Sequence, residues 1–190
     1  MPGTGIFGGT FDPVHNGHII TVNSVINLLK LDRAVFIPAK ISPFKQDKIV
    51  TPEKFRLDML QLAVGDNPNI IIDSYELNRD EVSYTINTLE HLSHQYDKLH
   101  LIIGYDNYLI FDKWYRFNDI LSLATLVVMR RKTDDIGIVS HNIPATFVET
   151  PLVDISSTII REKVKSGETI ENLVPDSVNN YILKNGLYST

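Results

Sequence analysis

Short apolar runs alternate with helical patterns along most of this chain, and that alternation constrains the fold more than any other feature. Such runs, rich in β-branched or large apolar residues, are typical of buried strands. They occur at residues 4–7, 34–38, 69–73, 99–104, 125–129 and 146–148. Strands that alternate with helices predict an α/β fold with a doubly wound, mostly parallel sheet. In such sheets ligands bind beyond the carboxyl ends of the strands, so motifs at strand ends are the most informative.

Apolar residues at helical spacing occupy the segments between these runs. One helix start is marked by a proline: Thr51 is the predicted N-cap and Pro52 the first helical residue. The helical faces expected to be buried are formed by Ile19, Val22, Ile26 and Leu29, by Phe55, Met59 and Leu62, and by Ile86, Leu89, Leu92 and Tyr96.

The end of the chain departs from this alternation. After Pro151 the pattern contains helices only, over residues 156–165 and 176–185, and Gly186 is the predicted C′ residue of the second helix. Residues 1–190 are therefore predicted to form a single domain whose C-terminal part, about 151–190, is helical.

Composition excludes several classes of function. The 190 residues include 43% hydrophobic and 22% charged side chains, which is typical of a soluble globular domain. The absence of cysteine excludes disulfides, thiolate nucleophiles and cysteine-ligated metal sites. A net charge of −5 argues against a nucleic-acid partner, and no apolar run is long enough to span a membrane. We expect a cytoplasmic protein and leave its oligomeric state open, a homo-oligomer included.

A segment at the end of the first predicted strand has the composition of a phosphate-binding turn. It begins with Gly8 and Gly9 and leads into a helical pattern. Paired glycines allow a sharp turn and close approach to a ligand, and a helix N-terminus attracts anions. His15 and His18 stand at this helix start, where each can donate a hydrogen bond to a phosphate oxygen. Two surface histidines that cap the helix are the plainer alternative, and a metal pair is the weaker one because no third ligand is evident nearby.

A second segment of similar character precedes the C-terminal helices. Ser156, Ser157 and Thr158 begin a helix, so hydroxyl and backbone N–H groups converge there, and Arg161 adds a delocalised positive charge one turn later. Taken alone, these residues are also explained by an ordinary Ser/Thr N-cap beside a solvated arginine.

The two segments together resemble the paired signatures of the HxGH nucleotidylyltransferase superfamily. Residues 15–18 match HxGH, and residues 155–161 match the second signature, ISST-x-I-R. The resemblance covers nearly the whole chain and implies a Rossmann-like nucleotidylyltransferase fold. The residues that it assigns to ATP are Gly8, Gly9, Thr10, Phe11, His15, His18, Gly104, Asp106, Ile155, Ser156, Ser157, Thr158 and Arg161.

Three further segments resemble those of bacterial nicotinate-nucleotide adenylyltransferases: SYT at residues 83–85, GxD at 104–106 and WY at 114–115. In that family the tryptophan stacks on the pyridine ring of the substrate, which implies this role for Trp114. A core position for Trp114 is the alternative from the residues alone. The residues that the resemblance assigns to the mononucleotide are Lys45, Ser83, Tyr84, Thr85, Asp106 and Trp114.

Some positions depart from the family pattern or leave their role open. Lys45 matches the basic residue of a PPHK-like loop and is expected to contact phosphate, with a solvated lysine as the alternative. Phe44 replaces the usual histidine of that loop, and Lys40 stands where asparagine is frequent. Residues 76–79 resemble an ELxR segment, for which we expect a structural ion pair that orders the nearby loop. Arg130-Arg131, at a strand end, either serves ATP or lies on the surface.

The resemblance implies transfer of the adenylyl group of ATP to nicotinate mononucleotide, which gives nicotinate adenine dinucleotide and pyrophosphate in NAD biosynthesis. The attacking phosphate is already anionic, so positioning and electrostatic stabilisation are the main contributions. The expected catalytic residues are His15, His18, Lys45 and Arg161, and Mg²⁺ is expected to arrive on ATP without a protein ligand. Transfer to nicotinamide mononucleotide or a pantetheine phosphate, and a non-catalytic nucleotide sensor, are the alternatives.

Overall fold

The computed structural model describes residues 3–41, 43, 50–130, 142–151 and 153–189. Its strands are β1 (Thr4–Gly9), β2 (Arg33–Pro38), β3 (Ile70–Ile72), β4 (Leu99–Gly104), β5 (Ala124–Arg130) and β6 (Thr146–Glu149). They form one sheet of order β3-β2-β1-β4-β5-β6, and every neighbouring pair is parallel. The predicted doubly wound α/β fold is confirmed. The strand order reverses between β1 and β4, where a crevice for a ligand is expected.

Helices connect these strands and follow the last of them. They are α1 (Asn16–Leu29), α2 (Glu53–Val64), α3 (Thr85–Ser93), α4 (Tyr105–Tyr108), α5 (Phe117–Leu123), α6 (Ser157–Lys165) and α7 (Asp176–Lys184), with a short 3-10 turn at Phe111–Lys113. The predicted start of α2 is wrong by one residue, because the extended ψ of Pro52, 144°, makes it the N-cap instead of Thr51. Gly186 follows the C-cap of α7 in the left-handed conformation, φ 60°, as predicted.

Two apolar cores lie on opposite faces of the sheet, because successive strand side chains point in opposite directions. In β1, Phe7 packs into the core beneath α1 and α2, whereas Ile6 packs into the core beneath α3 and α5. The C-terminal helices share the first of these cores through Ile160 and Ile182. One predicted core position is wrong: Leu62 is 41% exposed.

Leu62 is exposed because the buried stripe of α2 passes through other residues. Arg56, Met59 and Leu60 are each at most 1% exposed and face the sheet. The stripe therefore follows spacings of three and four residues and leaves Leu62 at its edge. Arg56 is buried on this helix, although the sequence pattern alone predicts a solvated side chain there.

Candidate active site

Two cavities open at the carboxyl ends of β1 and β4, where the strand order reverses. The larger has a volume of about 480 Å³ and is lined by Gly8 and Gly9, the start of α3 and Trp114; we call it the aromatic cavity. The sharp turn predicted at these two glycines is wrong, because both continue β1 and pair with Ile37 and Pro38 of β2. The smaller, about 230 Å³, is lined by His15 and His18 among others and is called the histidine cavity. Phe7 and Gly104 line both cavities, so the two adjoin.

The two motif histidines stack against each other at the start of α1. Their ring centroids are 3.6 Å apart and the planes differ by 25°. Nδ1 of His18 accepts a hydrogen bond of 3.2 Å from the backbone N–H of His15. A neutral imidazole that accepts at Nδ1 carries its proton on Nε2. This hydrogen bond assigns the ring proton of His18 to Nε2, and the ring lines the histidine cavity.

His15 is the N-cap residue of α1 and is only 6% exposed. Burial lowers the pKa of its imidazole to about 4, so the ring is neutral at physiological pH. The ring fills the space beside Gly17: a Cβ atom at residue 17 would lie 2.9 Å from Nδ1 of His15. Glycine is therefore needed inside the motif because His15 packs against the backbone there.

Phenylalanine rings support His18 from the side of the sheet. The Phe11 ring meets the His18 ring edge-on at 5.1 Å, and the Phe7 ring lies at 6.0 Å. Phe11 is 2% exposed and is not among the residues that line either cavity. A Cβ atom on Gly9 would approach the Phe11 ring to 2.9 Å, which explains the glycine at the end of β1. The expected contact of Phe11 with ATP stays a prediction, and its observed role is to pack against His18.

The second motif begins α6, as predicted. Ser156 is the N-cap, and its Oγ accepts a hydrogen bond of 3.2 Å from the backbone N–H of Ile159. Ile155, just before it, lines the histidine cavity. The helix start therefore lies beside the cavity that contains the motif histidines.

Hydrogen bonds connect the second motif directly to the first. Ser157 Oγ donates to the carbonyl of Pro13 at 2.9 Å, and Arg161 Nη1 donates to the carbonyl of Asp12 at 2.6 Å. Arg161 Nη2 lies 3.3 Å from the hydroxyl of Thr158 and donates to it. The structure thus brings together two motifs that are more than 140 residues apart in the chain.

Aromatic side chains form one wall of the aromatic cavity. Trp114 lines it, as the resemblance implies, and its ring packs 5.1 Å from that of Phe111. Tyr84 and Tyr115 line it as well, with ring centroids 4.6 Å apart. Flat ring surfaces of this kind favour a flat aromatic ligand.

The start of α3 faces the same cavity. Tyr84 is the N-cap and Thr85 the first helical residue, and both line the cavity together with Ser83. The first N–H groups of a helix have no intrahelical acceptor and favour negatively charged groups. The predicted mononucleotide segment therefore offers backbone donors to the cavity.

Gly104 and Asp106, of the GxD segment, lie at the carboxyl end of β4, and the contacts expected of them with the substrates stay predictions. Gly104 ends β4 and precedes α4, while the exposed Asp106 lines the histidine cavity. Arg130, whose role the sequence left open, lines that cavity too and forms an ion pair of 2.5 Å with Glu149. Its position is beside the histidine cavity, whereas Arg131 lies outside the described residues.

The predicted basic loop is described only in part. Lys45 and Phe44 lie outside the described residues, so the expectations for both stay predictions. Lys40 forms an ion pair of 2.6 Å with Asp80, and its backbone N–H donates to Ser83 Oγ at 3.1 Å. Within the described ranges no group of three or more His, Cys, Asp or Glu residues could hold a metal ion. None of the helices described there has the length and apolarity needed to cross a membrane.

The sequence did not reveal the role of Arg56, which holds the backbone of the segment that leads to the first motif. The side chain is 1% exposed and donates three hydrogen bonds to backbone carbonyls. The acceptors are Thr10 at 2.6 Å, Ala39 at 2.8 Å and Thr51 at 2.9 Å. Burial lowers the pKa of the guanidinium, and the nearby Asp12 carboxylate opposes that shift. No short sequence pattern identifies this role, because the three carbonyls come from separate segments.

Asp12 and Tyr188 form a second support that the sequence did not reveal. The Tyr188 hydroxyl donates to Asp12 Oδ1 at 2.7 Å, and the backbone N–H of Thr51 donates to Oδ2 at 3.3 Å. Burial, followed by the charge of Asp12, raises the pKa of Tyr188 well above its usual range, so the hydroxyl remains a neutral donor. A residue near the C-terminal end thus orients the loop that precedes His15.

The two charged residues of the ELxR-like segment, Glu76 and Arg79, have different partners. Arg79 forms an exposed ion pair of 2.7 Å with Glu81, which lies outside the segment. Glu76 is 8% exposed, lines the aromatic cavity and accepts a hydrogen bond of 2.5 Å from Thr88 Oγ1.

Comparison with known proteins identifies the family. The model of the cytidylyltransferase-like family matches residues 6–163. A relative from Hydrogenobaculum sp., named as a probable nicotinate-nucleotide adenylyltransferase, is 43% identical over 188 residues, with 98% of each chain covered. The nicotinate-nucleotide adenylyltransferase of Bacillus subtilis is 38% identical over 192 residues, with 100% of each chain covered. The chain belongs to the nicotinate-nucleotide adenylyltransferase family. This family lies within the nucleotidylyltransferase superfamily that the two motifs indicate.

A solved structure of a distant member shows the same fold. The Plasmodium falciparum nicotinic acid mononucleotide adenylyltransferase, complexed with NaAD, superposes with a TM-score of 0.79 at 17% identity. The match covers 99% of this chain and 98% of that chain. The Rossmann-like sheet and the helices after it are therefore common to both proteins.

Proposed function

We propose that this chain catalyses the transfer of the adenylyl group of ATP to nicotinate mononucleotide, with release of pyrophosphate. The observation that carries the proposal is the pair of adjoining cavities, which share Phe7 and Gly104. Two nucleotides bound side by side would place their phosphates at this shared edge. Holding two reactants in such a geometry lowers the entropic part of the barrier.

The chemistry of the aromatic cavity suits the mononucleotide. Trp114 offers a ring surface for the pyridine, and the N-terminus of α3 offers N–H groups to an anion. Nicotinate carries a carboxylate that nicotinamide lacks, so a cavity with such donors favours the acid. The names of the relatives from Hydrogenobaculum and Bacillus subtilis support the same substrate.

The histidine cavity suits the phosphates of ATP. One oxygen of the mononucleotide phosphate forms a bond to the α-phosphorus of ATP, while the bond from that phosphorus to the pyrophosphate oxygen breaks. The electron pair of the broken bond leaves with pyrophosphate. The Nε2–H group of His18 donates to an α-phosphate oxygen, and the neutral His15 fixes the His18 ring by stacking. Donors placed before the reaction stabilise the developing charge without reorganisation.

Other polar and cationic side chains are assigned to the phosphates on either side of the reacting α-phosphorus. Arg161, with Ser157 and Thr158, stands at the start of α6 and is assigned to the β- and γ-phosphates. Lys45 is assigned to the phosphate on the mononucleotide side. Mg²⁺ enters as part of the MgATP substrate, where it keeps several waters, and we assign it no protein ligand.

The test is release of pyrophosphate with MgATP and one acceptor at a time. We expect fast release with nicotinate mononucleotide and much slower release with nicotinamide mononucleotide at equal concentration. Equal rates would contradict the acid specificity and preserve the reaction. Release with a pantetheine phosphate alone would assign a different acceptor. Nucleotide binding without release from any acceptor would support a sensor and contradict an enzyme. A cytoplasmic location stays a prediction.

A further inference from the structure

A buried carboxyl group lies in the wall of the aromatic cavity. Among the described residues that line this cavity, Glu76 is the one acidic side chain and Lys113 the one lysine or arginine. Glu76 is 8% exposed, so most of its surface contacts protein. A buried carboxyl group costs stability unless hydrogen bonds satisfy it, and a position beside a proposed anion site makes that cost larger.

Hydroxyl groups in the wall of the aromatic cavity lie beside this carboxyl group. Thr88 Oγ1 donates to Oε1 at 2.5 Å, and the nearby Ser83 hydroxyl, like that of Thr88, opposes the rise in the pKa of Glu76 that burial causes. Ser83 Oγ in turn accepts the backbone N–H of Lys40 at 3.1 Å. Glu76 thus interacts with residues on both sides of the N-cap of α3.

These bonds restrict the segment that presents its backbone to the cavity. Ser83 precedes the N-cap Tyr84, and Thr88 lies in the first turn and a half of α3. The backbone N–H of Ser83 donates to the carbonyl of Ile41 at 2.9 Å, which fixes the same segment from the other side. The direction of the first N–H groups of α3 therefore depends on the bond that Glu76 accepts.

We propose that Glu76 is a positioning residue for the mononucleotide. It acts through Ser83 and Thr88 and orients the start of α3 toward the bound anion. It does not contact the mononucleotide phosphate or carboxylate itself, since like charges repel. This inference rests on the proposed function, because it assumes that the aromatic cavity binds nicotinate mononucleotide.

A purely structural role for Glu76 predicts a different result. A carboxyl group that only stabilises the fold would, when replaced, lower the melting temperature and affect both substrates alike. A positioning residue changes the binding of one substrate. The two roles are therefore separated by measuring the affinities for nicotinate mononucleotide and for MgATP independently.

The experiment is calorimetric titration of the full chain with each substrate alone. For Glu76→Ala we expect the Kd of nicotinate mononucleotide to rise by roughly 10-fold to 100-fold, the usual range for lost hydrogen bonds to a charged group. The Kd of MgATP should change by less than about twofold, because the histidine cavity is left intact. Glu76→Gln should retain most of the affinity, since its amide can still pair with both hydroxyls.

Two more variants complete the test. Glu81→Gln is the matched control: Glu81 lies in the same segment, is exposed and pairs with Arg79 outside the cavity, so both affinities should stay unchanged. Thr88→Val removes one hydroxyl at nearly constant volume and tests the same inference if Glu76→Ala does not fold. It should weaken mononucleotide binding selectively as well.

Each outcome bears on a separate claim. Selective loss of mononucleotide affinity in Glu76→Ala or Thr88→Val supports the inference. Unchanged affinities, or equal losses for both substrates, overturn it while the proposed function stands. A wild-type chain that binds MgATP but not nicotinate mononucleotide overturns the proposed function and the inference with it.

Discussion

The imidazole rings of His15 and His18 stack with their centroids 3.6 Å apart. The position of the His18 ring therefore depends on whether His15 is charged. Two cationic rings at that distance would repel each other. Burial keeps His15 neutral by lowering its pKa to about 4. The His15 ring can therefore remain in contact with His18 while His18 donates to a phosphate.

Replacement of His18 by alanine should lower kcat by on the order of 10² to 10³, because one preformed donor to the developing charge is lost. KM for ATP should change much less. The check is steady-state pyrophosphate release over a range of ATP concentrations. His94→Ala, which removes an exposed histidine outside both cavities, is the control. A loss of less than about tenfold would contradict the role of His18.

The stability of the fold should fall as the pH is lowered from about 6.5 to about 4. In that window the unfolded chain protonates His15 while the folded chain keeps it neutral, so protons favour the unfolded state. The His15 contribution is about 2 kcal/mol between pH 7 and pH 5. Urea unfolding at both pH values measures it.

In that comparison His15→Gln should show a shallower pH dependence than the wild type. A residual slope is expected, because burial lowers the pKa of His100 as well. Identical slopes for the wild type and His15→Gln would show that His15 does not titrate as inferred.

Trp114→Ala should raise KM for nicotinate mononucleotide at least about tenfold, since stacking of an aromatic ligand is lost. The affinity for MgATP should stay within about twofold. Trp114→Phe, which preserves a ring surface, should recover most of the loss. If the affinities for both substrates fall together, Trp114 is a core residue whose loss disturbs the whole site.

Tyr188→Phe should lower the free energy of unfolding by about 1–3 kcal/mol, because the buried Asp12 carboxylate loses its hydroxyl donor. It should also lower kcat, because Asp12 lies in the loop that leads to His15 and the bond from Tyr188 orients that loop. Tyr181→Phe is a matched control: it removes a similar bond of 2.6 Å to Asp58, away from both cavities. Denaturant unfolding and turnover of both variants make the comparison. An equal effect on kcat in the two variants would contradict the positioning role of Asp12 and Tyr188.

The sheet and the motif positions were predictable because their signals are local. The strand at 99–104 matches the prediction at both ends, since a largely apolar run that ends in Gly104 defines it. A helix begins at residues 156–158 as predicted, and Ser156 caps it, because capping involves residues three positions apart. The alternation of strand and helix patterns predicted a mostly parallel sheet, and the structure confirms it.

The supports of the site could not be predicted, because they depend on partners that are distant in the chain. Arg56 has the sequence context of a solvated helix residue, yet three carbonyls from different segments surround its guanidinium. Glu76 suggested an ion pair, and its burial depends on how α3 packs. The exposure of Leu62 likewise depends on which stripe of α2 faces the sheet.

The hydrogen bond between Asp12 and Tyr188 spans 176 residues and has a consequence for how the protein is made. On the ribosome, the loop around Asp12 leaves the exit tunnel long before Tyr188 is synthesised. The segment before His15 therefore lacks one of its donors until Tyr188 has emerged from the ribosome. A nascent chain that already has its sheet would still lack this support of the site until the residues around Tyr188 dock.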